Sequence, residues 1–155
     1  MIAVPLDLLT YRGAHMSQAQ GLGLFEQVLG HEPVSAPGSG LVYATWVARV
    51  APIPAGSGVS AGSARLELGG RVFMPADSEP LDDVDIAVTG AVDALMNALY
   101  EDFTLGGTVR NVDLLGAHGA PLGAQFGFTR FDSTTCRVAT LTIPLIVNDV
   151  WTEAP

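Results

Sequence analysis

The sequence predicts a single α+β domain, a mixed or antiparallel sheet of about five strands packed against a central amphipathic helix, with a further helical segment at the N-terminus. Three observations carry this. Val84, Val88, Val92, Leu95 and Leu99 recur at helical spacing, with Asp85, Thr89, Asp93, Asn97 and Glu101 on the other faces. Five stretches rich in β-branched and aromatic residues alternate or run apolar between Gly/Pro/Ser punctuation. A length of 155 residues fits one hydrophobic core, with no internal repeat to divide it. The domain therefore spans 1–155, with a helical segment at 1–30 and an α+β core at 41–151.

In the N-terminal segment, Leu8, Leu9, Met16, Leu22, Phe25, Val28 and Leu29 fall at broadly helical intervals interrupted by Gly21 and Gly23. One helix broken at those glycines, or two short ones, would satisfy the pattern. HEPVSAPGSG follows as a loop. LVYATWVARV is the first strand, ended by Pro52 and Pro54. PAGSGVSAGS is a flexible hairpin loop, and SARLELGGRVFM resumes period-two alternation with Leu66, Leu68, Val72 and Phe73, its Gly69-Gly70 pair suggesting a bulge.

The central helix should run from about 82 to 102, started by Pro80, Asp82 and Asp83 and closed near Gly106-Gly107, where a left-handed cap needs no Cβ. VRNVDLLG, LGAQFGFTRF and CRVATLTIPLIV are the remaining strands, with FDSTT turning between the last two. Pro144 cannot donate to a ladder. The last strand is therefore an edge there, or bulged, or changes partner near Ile143.

Composition excludes several classes of function. Apolar residues make up 48% and charged residues 15%, too apolar for disorder and poor in surface charge, so partners are expected to cover part of the surface. No apolar run approaches the ~20 residues of a bilayer span, and MIAVPLDLLT lacks the basic start of a signal peptide, so an unexported, non-membrane protein is expected. A net charge of −9 argues against a DNA-gripping surface, although an acidic wall lets a polyanion pass. All seven basic residues are arginine, which removes lysine-dependent phosphate clamps, Schiff bases and general bases.

Residues with chemical potential are sparse. His15, His31 and His118 are far apart with no metal-binding spacing, and His118 in GAHGAP reads as a solvated loop histidine. Ser39 and Ser57 sit in loops rather than on a nucleophile elbow. Cys136 has Arg137 as a neighbour that could lower its pKa, but a packed, inert thiol is the better account. Glu79, Asp82, Asp83 and Asp85 lack a calcium-loop pattern and suit a helix N-terminus. GLGLF is not a dinucleotide fingerprint. No catalytic, metal or cofactor site is expected.

The order of EDFTLGGTVRNVDLLGAHGAPLGAQFGFTRFDSTTCRVATLTIPLIVNDVW, an acidic helix end, a Gly-Gly turn, VDLLG, a Gly/Pro loop, a hairpin and a strand into NDVW, resembles tail terminator proteins of long-tailed bacteriophages of the siphovirus type. The likeness covers residues 40–151, best at AVDALMNALYEDFTLGGTVRNVDLLG and TLTIPLIVNDVW, and leaves out the first forty residues. It implies a structural subunit without enzyme activity or cofactor. Such a subunit forms a homo-oligomeric, hexameric ring that caps the tail tube, stops its polymerisation and meets the head–tail connector or stopper. Its partners would be itself, the major tail tube protein and the connector, with DNA passing through the lumen unread. Its place would be the neck of a virion made in a bacterial cytoplasm.

On that reading the ring contacts involve the Thr104–Val109 turn and the final strand, with Trp46, Thr104, Arg110, Ile146, Val150 and Trp151 as candidate interface residues. For Trp46, core packing competes with that role. The other readings are a head-side completion or minor tail subunit, a monomeric module that captures a peptide on an edge strand, and an enzyme or ligand-binding domain with a pocket between helix 82–102 and the sheet.

Overall fold

A computed structural model describes residues 5–35, 38, 40–54 and 61–152. Ser39, Ser57 and most of the predicted PAGSGVSAGS loop, residues 55–60, lie outside them. Two helices lie on one face of a six-stranded mixed sheet. The elements in order are α1 (Leu8–Gly21), β1 (Gln27–Leu29), β2 (Val42–Ile53), β3 (Ala61–Pro75), α2 (Asp83–Glu101), β4 (Asn111–Val112), β5 (Gly123–Phe131) and β6 (Thr134–Thr152). The sheet runs β1-β2-β3-β6, and the far side of β6 is shared by β5 and β4. Among the described residues only the β1–β2 pair is parallel.

The N-terminal segment departs from the expected helices after Gly21. Asp7 caps α1 by accepting from the Thr10 N–H at 3.2 Å. Gln27–Leu29, near the end of the segment, are then a sixth strand, β1, laid against Val42–Ala44. Three residues paired by a neighbour leave too short a pattern to read as a strand in the sequence.

α1 is fixed to the sheet by a buried polar chain. His15 is wholly buried, with Nε2 2.6 Å from the Tyr43 hydroxyl and Nδ1 3.3 Å from Gln18 Oε1. The Gln18 amide nitrogen donates to the carbonyls of Ala98 and Asp102 at the end of α2. Gln18 Oε1 is therefore an acceptor, so His15 carries its proton on Nδ1 and accepts from Tyr43 at Nε2. Burial pushes the His15 pKa down from 6.5 to about 4, against the opposing pull of the Gln18 hydrogen bond. The same burial raises that of Tyr43.

α2 spans nearly the predicted residues, and its stripe of Val84, Val88, Ala91, Val92, Leu95 and Leu99 is buried against β3 and β6. Leu66, Leu68, Val72, Leu141, Ile143 and Leu145 meet it from the sheet. The left-handed turn comes later than the helix end. Leu105, Gly106 and Gly107 have φ of 49, 69 and 83°, and the Asp102 carboxylate accepts from the Gly106 N–H at 3.0 Å.

Gly69 and Gly70 do not form the expected bulge; they pair in regular register with Trp46 and Thr45, and the irregularity lies across the ladder between Val47 and Arg49. The glycines instead give room to cross-strand aromatics. A Cβ on Gly69 would stand 2.7 Å from the Trp46 indole, and one on Gly70 would stand 2.5 Å from the Tyr43 hydroxyl oxygen.

β6 is the middle of the sheet rather than an edge, and Pro144 is buried within it opposite Glu67. Of the three readings for this proline, the change of partner holds: β5 ends its pairing at Thr142 and β4 begins at Leu145. Pro144 offers its carbonyl to the Asp113 N–H at 2.8 Å, so its missing donor faces the same side, in the gap between the two partners.

VRNVDLLG supplies only the two residues of β4 as strand. Asp113 turns its carboxylate onto the N–H groups of Ala117 and His118 at 2.8 and 2.9 Å, and this local bonding competes with a longer ladder.

Candidate assembly edge

Among the described residues β5 pairs with β6 on one side only, so its other side is a nine-residue edge whose outward backbone donors and acceptors have no strand partner there. The β5–β6 hairpin is made by a turn through Asp132, whose φ is 53°. The edge lacks the devices that protect such strands, having no proline, no bulge and one charged residue, Arg130.

Phe126 and Phe128 stand opposite Ala139 and Arg137, on the face of the sheet that carries the helices. They are 44% and 66% exposed, too much for ordinary core aromatics. Arg137 holds them in place. Its guanidinium lies 4.7 Å from the Phe128 ring centre and 5.8 Å from that of Phe126, donates to the Gly127 carbonyl at 3.2 Å, and reaches Asp85 on α2 at 2.7 Å. Beyond Asp85, Ile86, Thr89, Gly90 and Asp93 line an open concavity of about 490 Å³ on the outer surface of α2. Edge, aromatic pair and helix face thus form a continuous surface with mixed apolar and acidic character.

A second buried network sets where β5 begins. Arg65, 2% exposed, reaches Glu67 at 3.0 Å and Asp113 at 3.5 Å, and donates to the Ala120 carbonyl. Burial opposes the charge of Asp113, but the N–H groups of His118 and Ala117 and the Arg65 guanidinium outweigh it and hold its pKa below the usual carboxylate range. The loop from 113 to 121 is thereby pinned to the sheet, and Gly123 enters the ladder opposite Thr142.

The sequence candidates fall in two places. Arg110 and Ile146 come together: the Arg110 N–H donates to the Ile146 carbonyl at 2.9 Å, and the Arg110 side chain reaches Asn148, which was not a candidate, at 3.4 Å. Thr104 shapes the adjoining turn by accepting from the Gly107 N–H at 3.2 Å. Ile146 and Val150 are buried by the chain itself, so their side chains offer no surface, while Trp151 is half-buried against the main core. Trp46 lies apart, half-buried on the helix-free face with Arg71 5.4 Å from its ring.

Cys136 is buried on the face opposite Arg137, which points to Asp85 instead; burial and Asp77 push its thiol pKa up. The space between α2 and the sheet is filled by core side chains, so the concavity on α2 is an outer one. Among the described residues, no three His, Cys, Asp or Glu side chains gather as metal ligands, and no helix is long and apolar enough to cross a membrane.

The aromatic pair on an open edge escaped the sequence reading. Its trace was Phe126 and Phe128 two residues apart in LGAQFGFTRF, where neighbouring glycines and polar residues give the strand little else to bury.

No protein-family model and no curated protein matches the chain. Among solved structures it is similar to one titled "Cryo-EM Structure of an Extracellular Contractile Injection System, PVC sheath/tube terminator in extended state", at 10% identity and a TM-score of 0.40. The alignment takes in 97% of this chain and 60% of that one, so the chain spans about three fifths of its neighbour's length. So distant a likeness carries no functional argument.

Proposed function

We propose that this chain is a structural subunit of the tail-terminator kind, which assembles with copies of itself into a ring at the end of a tail tube. The observation that supports it is the unprotected β5 edge with Phe126 and Phe128 exposed beside it, a surface that a lone soluble domain would need to cover. The resemblance of residues 40–151 to phage tail terminators supplies the identity of the assembly. In this reading the ring is hexameric, stops tube growth, meets a head–tail connector on its far face and lets DNA through without reading it. It belongs to the virion neck and performs no catalysis.

The same edge favours a second reading, a monomeric module that captures a peptide strand by adding it to β5. Light scattering across a concentration series, followed by negative-stain imaging, separates the two. A ring with an open centre supports the terminator; a strict monomer at every concentration refutes self-assembly and leaves the peptide-binding module.

A further inference from the structure

The sheet has a second open edge. β2 is twelve residues long, and β1 covers three of them, Val42–Ala44, leaving nine, 45–53, with no strand among the described residues on their outer side. Val47 and Val50 on this stretch are 38% and 43% exposed. They stand opposite Leu68 and Leu66, on the helix-bearing face that also carries Phe126 and Phe128. Because of the bulge after Val47, these valines are two ladder steps apart although three residues apart in sequence. Phe126 and Phe128 are likewise two steps apart.

We propose that β5 of one subunit pairs with β2 of the next copy of this chain, antiparallel, with Phe128 opposite Val47 and Phe126 opposite Val50. The inference rests on the ring reading above and names the contact that builds it. Strand sense agrees: β2, β3, β6 and β5 alternate in direction, so a sheet continued into the next subunit sets β5 against an antiparallel β2. Length agrees as well. This register puts Gly123 opposite Ile53 and Arg130 opposite Thr45, so the two open stretches match nearly end to end and the neighbour's β1 bounds the seam.

Nine extended residues span roughly 30 Å. With a depth of roughly 20 Å for a sheet and a helix layer, the seam covers about 600 Å² per partner, close to the ~800 Å² of a stable interface. Such a head-to-tail contact occupies both open edges at once and closes by rotation, whereas a two-fold β5–β5 contact would leave β2 bare.

The test uses the full chain with Val47→Cys and Phe128→Cys together, oxidised at the concentration where light scattering finds the ring. Within one chain β5 and β2 are separated by β6 and β3, about 14 Å, too far for a disulfide, and the native Cys136 is buried on the other face of the sheet, so a cross-link between the two introduced thiols is between subunits. The proposal expects a denaturant-resistant ladder of linked subunits from the double variant and from Phe126→Cys with Val50→Cys, and none from either single variant. The second pair serves if the first fails to fold. A ring without cross-links in either pair overturns this contact and leaves the ring reading standing. A dimer from Phe128→Cys alone overturns it in favour of two-fold pairing. A chain that never assembles overturns both.

Discussion

Lowering the pH should unfasten α1 through one residue. His15 has a folded pKa of about 4 against 6.5 when exposed, because burial excludes the charged ring. A lowered histidine pKa means that below 6.5 the unfolded chain takes up a proton the folded chain refuses. Stability is thus intact above about pH 6.5, falls between there and pH 4, and levels off below. A gap of about 2.5 pKa units corresponds to roughly 3 kcal/mol, a large part of a typical 5–15 kcal/mol. Guanidinium unfolding of the wild type and of His15→Gln, at equal protomer concentration and several pH values from 7 to 4, isolates the effect. Carboxylates such as Asp113 weaken both proteins in acid, so the difference belongs to His15. The variant should start less stable at pH 7 and show a shallower loss, by about 2–3 kcal/mol over the interval. Parallel losses in the two proteins would refute the buried neutral imidazole.

Arg65→Met should leave the buried Asp113 without its cation and Glu67 with only the exposed Arg49, costing about 3–5 kcal/mol, and hydrogen exchange should lose protection over residues 113–121. Gly70→Ala drives a methyl group to 2.5 Å from the Tyr43 hydroxyl and displaces it from His15; a loss of about 1–3 kcal/mol should lower Tm by roughly 2–4 °C per kcal/mol. Leu99→Ala removes a fully buried side chain between α2 and the sheet and should cost about 2–5 kcal/mol in chemical denaturation. Phe128→Asp should leave the monomer fold and its Tm nearly unchanged but weaken self-association at least tenfold by light scattering, since the ring is exposed in the single chain.

The parts of the fold legible in the sequence were those with a one-sided pattern. α2 could be read residue by residue because its valines and leucines face a core and its aspartates face water. β5 could be read as a strand, but not as an edge, since pairing partners are chosen by the rest of the sheet. Pro144 narrowed the possibilities to three and the ladder picked one. Gly69-Gly70 misled because glycine fits both a bulge and a space for a large neighbour; Tyr43 and Trp46 across the ladder decide between them. His15 left a trace in the spacing Tyr11, His15, Ala19, all buried on one side of α1, but a single polar residue on such a stripe gives no hint of its partners. Asp113 was hidden for a related reason, since two of its bonds run to backbone groups that have no sequence and the third to Arg65, 48 residues away.

The strand that follows every other element in the chain is also the one that holds the sheet together. β6 lies beside β3 along nearly its whole length and gives β4 and β5 the one ladder each has among the described residues. During synthesis, β4 and β5 emerge before the strand they pair with exists, and the apolar side of α2 emerges with only the β3 part of its surface made. The β2–β3 ribbon can close early, but the core must wait for Thr134–Thr152, so folding is a late, long-range event. A ribosome that stalls before β6 leaves a nascent chain with an apolar helix only part-covered and open strand edges, which is the material of aggregation and a substrate for chaperones.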